Sequence, residues 1–248
     1  MSEFDIWLDT DMGKVLLAVE SQKIEQLLPG RYFKNVVQFG MPAYSIMDNV
    51  TAKSRSTVDF STRRGANVSV VSDFKSLPFG AHSVDLAILP HSLDYVENPH
   101  NFLRELTQIM VPDGTVLLTG FQPFSLWGIS KAMHVLRPKS PWAGRFLTTG
   151  RVQDWLSLMG YRIQAGGMTM YRPPIARREI FRKLEFLESA GDRWWPMLGA
   201  VYVIVARLET IGVVPVSRMP IRRAFTPSMV QVRRLSASQR SKSDVERK

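Results

Sequence analysis

The stretch Asp73–Gly120, DFKSLPFGAHSVDLAILPHSLDYVENPHNFLRELTQIMVPDGTVLLTG, constrains the fold more than any other part of the chain. Val84–Leu89 is a short apolar run of strand length. Asn98 suits a helix N-cap, and Pro99 the first helical position behind it. Phe102, Leu103, Leu106, Ile109 and Met110 then form one apolar stripe that would pack on a sheet. Pro112-Asp113-Gly114 turns the chain into a second apolar run, Thr115–Thr119. Strand, helix, turn and strand in that order make a right-handed parallel crossover.

The flanking segments extend this α/β pattern. Val15–Leu28 reads as an amphipathic helix ending before Pro29-Gly30, and Asn35–Gly40 as a first strand running into a glycine turn. A short helix is expected over Ala43–Val50. Thr57–Phe60 and Asn67–Ser72 read as second and third strands, but only Ser61–Ala66 separates them. Parallel crossovers normally need about a dozen residues. Either this one lacks its helix or one strand assignment is wrong. Helical patterns follow over Ser125–Leu136 and Thr149–Met159. A polar helix, Ile175–Ser189, separates two last strands, Tyr161–Tyr171 and Ala200–Leu208.

Charge is unevenly spread. The 248 residues carry a net +10, yet Ser217–Lys248 alone holds nine Lys/Arg against two acids. The high pI is therefore a property of that tail, and does not mark a nucleic-acid-binding fold. The tail is Ser/Arg-rich with little periodicity, so a domain over 1–212 and a basic, disordered extension over 213–248 are expected. Such a tail would suit weak contact with nucleic acid or an anionic membrane. The chain has no cysteine, which removes disulfides and thiolate metal sites. The N-terminus has four acids and no apolar core, so no secretory signal is expected there. No apolar run is long enough to span a bilayer, and a cytoplasmic location is expected. The four histidines show no metal spacing. Among the aromatic residues, most tryptophans are expected in the core or at sheet edges. The apolar stripe after Phe121 is expected to pack inward, with a lid or a membrane-touching patch as alternatives.

An acidic residue before Leu77-Pro78-Phe79, followed by a strand opening Val84-Asp85, resembles the class I S-adenosylmethionine-dependent methyltransferases of the type 11 pattern. Two further stretches, GFQPFSLWGISKAMHVLRP and TTGRVQDWLSLMGYRI, are similar to an uncharacterised proteobacterial subgroup of that family. The resemblance implies a Rossmann-like, mostly parallel sheet with a C-terminal antiparallel hairpin. It also implies S-adenosylmethionine as cofactor and a small-molecule acceptor. Ligands of such sheets sit at the carboxyl ends of the strands, where strand order reverses.

By the resemblance, Gly40 belongs to the glycine loop, Asp59 to the ribose, Asp73 and Phe74 to the adenine edge, and Pro90 to the cofactor wall. The family's Gly-x-Gly-x-Gly reads Gly40-Met41-Pro42-Ala43-Tyr44 here. Pro42 offers no N–H, and Tyr44 brings a large side chain toward the ligand. Gly40 could equally be a strand-end turn, Asp59 an exposed turn acid, and Asp73 a cap. His91, Asp94 and Tyr95 follow strand four on the acceptor side. His91 is the candidate general base, because an unperturbed imidazole titrates near neutrality. Asp85 opens its strand at the far end and suits a structural role. The altered glycine loop leaves a second possibility, a methyltransferase-like binding or regulatory module without catalysis.

Overall fold

A computed structural model describes residues 3–28, 30–59, 68–72, 76–134, 140–175 and 177–209, all within the compact unit Met1–Ile211. Its centre is a seven-stranded sheet: β1 (Tyr32–Phe39), β2 (Thr51–Asp59), β3 (Val70–Val71), β4 (Val84–Pro90), β5 (Met110–Phe121), β6 (Tyr161–Thr169) and β7 (Val201–Leu208). The spatial order is β3-β2-β1-β4-β5-β7-β6. All neighbours are parallel except β5–β7 and β6–β7, so the hairpin expected at the C-terminal end is present.

The period-two alternation of the central strands separates two cores. Val37, Phe39, Ala87, Leu89, Val116 and Leu118 point to one face, against α4 (Pro99–Ile109) and α6 (Thr149–Leu158). Val36, Leu86, Ile88 and Leu117 point to the other, against Ile24 of α2 (Asp11–Leu27). A sheet covered on both faces explains why its strands read as nearly continuous apolar runs. Asn98 caps α4 as expected, its side chain accepting from Asn101 N–H. The Pro112-Asp113-Gly114 turn bulges out of the ladder, which shifts register between Val84↔Met110 and Leu86↔Thr115. Asp85 is structural: its carboxylate accepts the Asn35 N–H at 2.9 Å and ties β4 to β1.

Three expectations change. The segment after β1 forms no α-helix; of the helix expected over Ala43–Val50 only a 3-10 helix, Ile46–Asn49, is present. Its backbone is drawn instead around the side chain of Gln38. The polar helix divides into α7 (Arg178–Lys183) and α8 (Phe186–Trp194). Finally, α5 (Leu126–Met133) buries only Trp127 and Ser130, and turns its other apolar residues to solvent. The two strands separated by a short connection both exist, pairing Val58↔Val70 and Asp59↔Val71 in parallel. Residues 60–67 between them lie outside the described residues, as do Asp73, Phe74 and the whole 213–248 tail.

Candidate active site

The sheet changes direction of winding between β1 and β4, which opens a crevice at their carboxyl ends. A cavity of about 340 Å³ lies there, within the range of small-ligand sites. Gly40, Asp59 and Pro90 line it from the ends of β1, β2 and β4. Glu3, Phe4 and Asp5 of α1 (Glu3–Leu8) line it as well, together with His91, Tyr95, Ser140 and Ala143. A larger groove of about 830 Å³ runs between α2, β6 and α8, but its charges are largely paired, as in Lys23–Asp192 and Arg172–Glu188. It lies away from the strand ends that gather the candidate residues.

Gly40 sits at φ +84°, in the left-handed region where a side chain is disfavoured. A Cβ there would meet Ser92 Oγ at 3.4 Å. Ser92 Oγ itself donates to the Phe39 carbonyl, joining the two loops. Met41, also left-handed at φ +49°, is buried and lines the cavity beside Pro42. Tyr44 does not crowd the cavity as expected. It turns aside and donates to Asp9 at 2.7 Å, a contact that helps push its hydroxyl pKa to about 12, after burial as the first cause.

Gln38 shapes this loop. It is fully buried, and its Nε2 donates to the carbonyls of Gly40, Met41 and Tyr44 at 3.1, 3.1 and 2.7 Å. Its Oε1 accepts the Ile46 N–H at 3.0 Å. One amide thus pairs backbone groups that a helix would otherwise have paired.

His91 opens the loop after β4 at φ +50°. Its backbone N–H donates to Thr119 O at 3.1 Å. Nε2 lies 2.6 Å from Glu20 Oε1, and Nδ1 3.1 Å from Asp94 Oδ2. Phe121 stacks beside the ring with centroids 4.3 Å apart, and Phe4 meets it edge-on at 5.2 Å. Both ring nitrogens can donate to carboxylates only in the imidazolium form. Burial alone would lower its pKa, but Glu20 and Asp94 outweigh burial and raise it from 6.5 to about 9. The ring is therefore charged at neutral pH, with neither nitrogen free to take a proton. This differs from the general-base expectation, which assumed an unperturbed imidazole.

Asp94 stands behind His91 instead of facing the cavity. It accepts from both His91 and the Phe121 N–H, and burial holds its carboxyl above the usual range despite these partners. Tyr95 faces the cavity, packs on Phe4 at 5.0 Å, and has its pKa raised chiefly by burial. Sequence reasoning missed Gln38, Glu20 and the α1 residues. Glu20 had a signal: with Leu16 and Ile24 it falls at i, i+4 and i+8, on the buried stripe of α2. Gln38 was the polar residue inside an apolar strand.

Among the described residues, no cluster of His, Asp and Glu has the arrangement of a metal site. The cavity does fit an S-adenosylmethionine-sized ligand: its volume suits, no Cβ obstructs Gly40, and Asp59 closes the end of β2. A doubly covered parallel sheet with a reversed terminal strand and this crevice defines the class I methyltransferase fold.

Comparison with known proteins carries the assignment further. Residues 30–118 match the family model described as a methyltransferase domain. The chain is 29% identical over 223 residues to the uncharacterised protein YafS of Escherichia coli, covering 89% of this chain and 86% of that one. A solved S-adenosylmethionine-dependent methyltransferase of Thermotoga maritima superposes with a TM-score of 0.58 at 18% identity, covering 77% of this chain and 89% of its own. One from Mesorhizobium loti gives 0.50 at 17% identity, covering 81% and 99%. Residues 30–118 thus match a methyltransferase domain, and the fold around them is that of the S-adenosylmethionine-dependent methyltransferases.

Proposed function

We propose that the chain methylates a small-molecule acceptor held in the cavity at the carboxyl ends of β1, β2 and β4. The observation that carries this reading is the convergence of Gly40, Asp59, Pro90 and His91 on that one 340 Å³ cavity. Asp59 would accept from the ribose hydroxyls, and the Gly40-Met41 backbone would run beside the methionine portion. Pro90 would form the floor, with Asp73 and Phe74 at the adenine edge on the strength of the family pattern. S-adenosylmethionine, when bound, supplies a methyl group already activated on a sulfonium. The protein's own work is then to orient the acceptor in line and keep water out. Phe4 and Met41 provide apolar walls, while Tyr95, Glu3 and Asp5 stand on the acceptor side. His91 acts by position: its charged ring fixes the loop on which Ser92 and Tyr95 are carried.

Calorimetric titration with S-adenosylmethionine and S-adenosylhomocysteine tests this reading. The wild type should bind both, and Asp59→Asn should weaken binding about 10- to 100-fold, the worth of one charge-assisted hydrogen bond. A thermal melt should show the variant still folded at the titration temperature. A folded protein giving no heat at millimolar ligand would overturn the proposal.

The commitment of both His91 nitrogens favours a second reading, a module that binds the cofactor without transferring its methyl group. Formation of S-adenosylhomocysteine from donor and a small-molecule extract, beyond the spontaneous rate, would exclude it. A cytoplasmic location and a salt-sensitive contact of the Ser217–Lys248 tail with polyanions belong to the same proposal; binding insensitive to salt would reject the latter.

A further inference from the structure

We propose that the outer face of α5, together with the Trp194–Leu198 segment, docks the protein on an anionic lipid membrane. Phe124, Leu126, Ile129 and Met133 form one exposed apolar group, and Trp194, Trp195, Met197 and Leu198 a second. All eight are between 50% and 73% exposed, a large apolar surface for a folded chain to leave in water. The two groups leave the same end of the sheet. Phe121, the last residue of β5, pairs with Val201, the first of β7, and Gln122 N–H donates to Ala200 O at 2.8 Å.

The outward face of α5 carries no charge. Lys131, the only ionisable residue of the helix, is turned inward to the Gly144 carbonyl and over the Phe146 ring at 4.3 Å. Leu126, Ile129 and Met133, spaced three and four apart, are left as a continuous stripe. The surrounding sequence supplies the complementary charge. Residues 121–200 hold twelve Lys/Arg against five Asp/Glu, a net +7, whereas residues 1–120 hold ten against fourteen, a net −4. The segment bearing the apolar face is thus the cationic part of the domain. Arg193 lies over the Trp194 ring at 5.8 Å, pairing a base with an aromatic ring of the kind that settles at the headgroup level. Apolar insertion flanked by Lys and Arg is the pattern of a protein that lies on an anionic bilayer.

The position also has a consequence for the cavity. Ser140 and Ala143, which form one wall, follow α5 in the chain, and Tyr95 beside them donates to the Pro141 carbonyl at 3.3 Å. Docking through α5 would bring this wall next to the lipid, where an amphiphilic acceptor could be reached. That clause alone rests on the proposed function; the membrane contact does not.

The test is cosedimentation of the full chain with vesicles of phosphatidylcholine alone or with 30% phosphatidylglycerol, at 0.1 M and 0.5 M salt. The protein should bind the anionic vesicles and retain part of that binding at 0.5 M salt, where purely ionic contacts from the tail are screened. The Ile129→Glu/Met133→Glu variant should lose about tenfold or more in partitioning. Quenching by vesicles with brominated acyl chains should fall in Trp194→Phe/Trp195→Phe. S-adenosylhomocysteine affinity, measured on the same variants, should not change, which separates this result from any failure of the cofactor reading. No vesicle binding, or binding that the α5 variant leaves intact, would overturn the proposal. So would a concentration-dependent dimer that the same variant dissolves, since the face would then belong to a second copy of the chain.

Discussion

The loops after β1 and β4 reach the same cavity, and they are held in different ways. The β1 loop, Gly40–Ile46, is fixed by the neutral amide of Gln38, a residue of the strand that precedes it. The β4 loop, His91–Tyr95, is fixed by a buried ionic cluster that draws on a distant helix: Glu20 of α2, His91 and Asp94. A neutral amide satisfies backbone groups at every pH. A buried imidazolium between carboxylates is held only while it stays protonated, and each carboxylate depends on it. The two loops should therefore differ in how much they lose on mutation and in whether that loss depends on pH.

The largest effect is expected at His91. His91→Ala leaves Glu20 and Asp94 buried without their counter-charge, and chemical denaturation at pH 7 should report a loss of about 3–5 kcal/mol. The pH dependence has a definite sign. The folded pKa of about 9 exceeds the unfolded 6.5, so the folded state binds more protons between those values. The stabilisation is complete below pH 6.5 and falls away as pH rises through 9, by about 3 kcal/mol in all. Asp94, whose carboxyl is also raised, loses stability with rising pH in the same direction. Glu20→Gln/Asp94→Asn, which removes both carboxylates around the ring, should remove the decline between pH 6.5 and 9.5; a slope that persists in it would show that another group is responsible.

Gln38→Leu should cost somewhat less, about 2–3 kcal/mol, because the loop carbonyls it strands can partly reach water. The loss should be constant from pH 6 to pH 9, and hydrogen exchange should quicken at the Ile46 amide. A pH-dependent loss would break the contrast between the loops. The smallest effect belongs to Tyr44→Phe. It removes a partly exposed hydrogen bond to Asp9, so the melt should shift by the equivalent of about 0.5–1 kcal/mol.

The contrast also explains what could be read from the chain. The Asp73–Gly120 segment was legible because its strand, cap, stripe and turn are set by near neighbours: Asn98 needs only the amide of Asn101, and Phe102 and Leu106 need only helical spacing. Of the helix that local propensity suggests over Ala43–Val50 only the 3-10 segment Ile46–Asn49 forms, because the backbone before it follows Gln38. Tyr44 was expected in the cavity because its size was known and its direction toward Asp9 was not.

The sequence by itself determined the α/β class and the parallel crossover, since these follow from periodicity and turn chemistry over short spans, while the terminal hairpin was implied by the family resemblance. It also placed Gly40, Asp59, Pro90 and His91 at strand ends. Tertiary structure alone decided the charge state of His91, because Glu20 lies 71 residues away in the chain and 2.6 Å away in space. It also decided which apolar residues of α5 face water. Burial and electrostatic pairing depend on what the rest of the chain brings alongside, and no local pattern contains that.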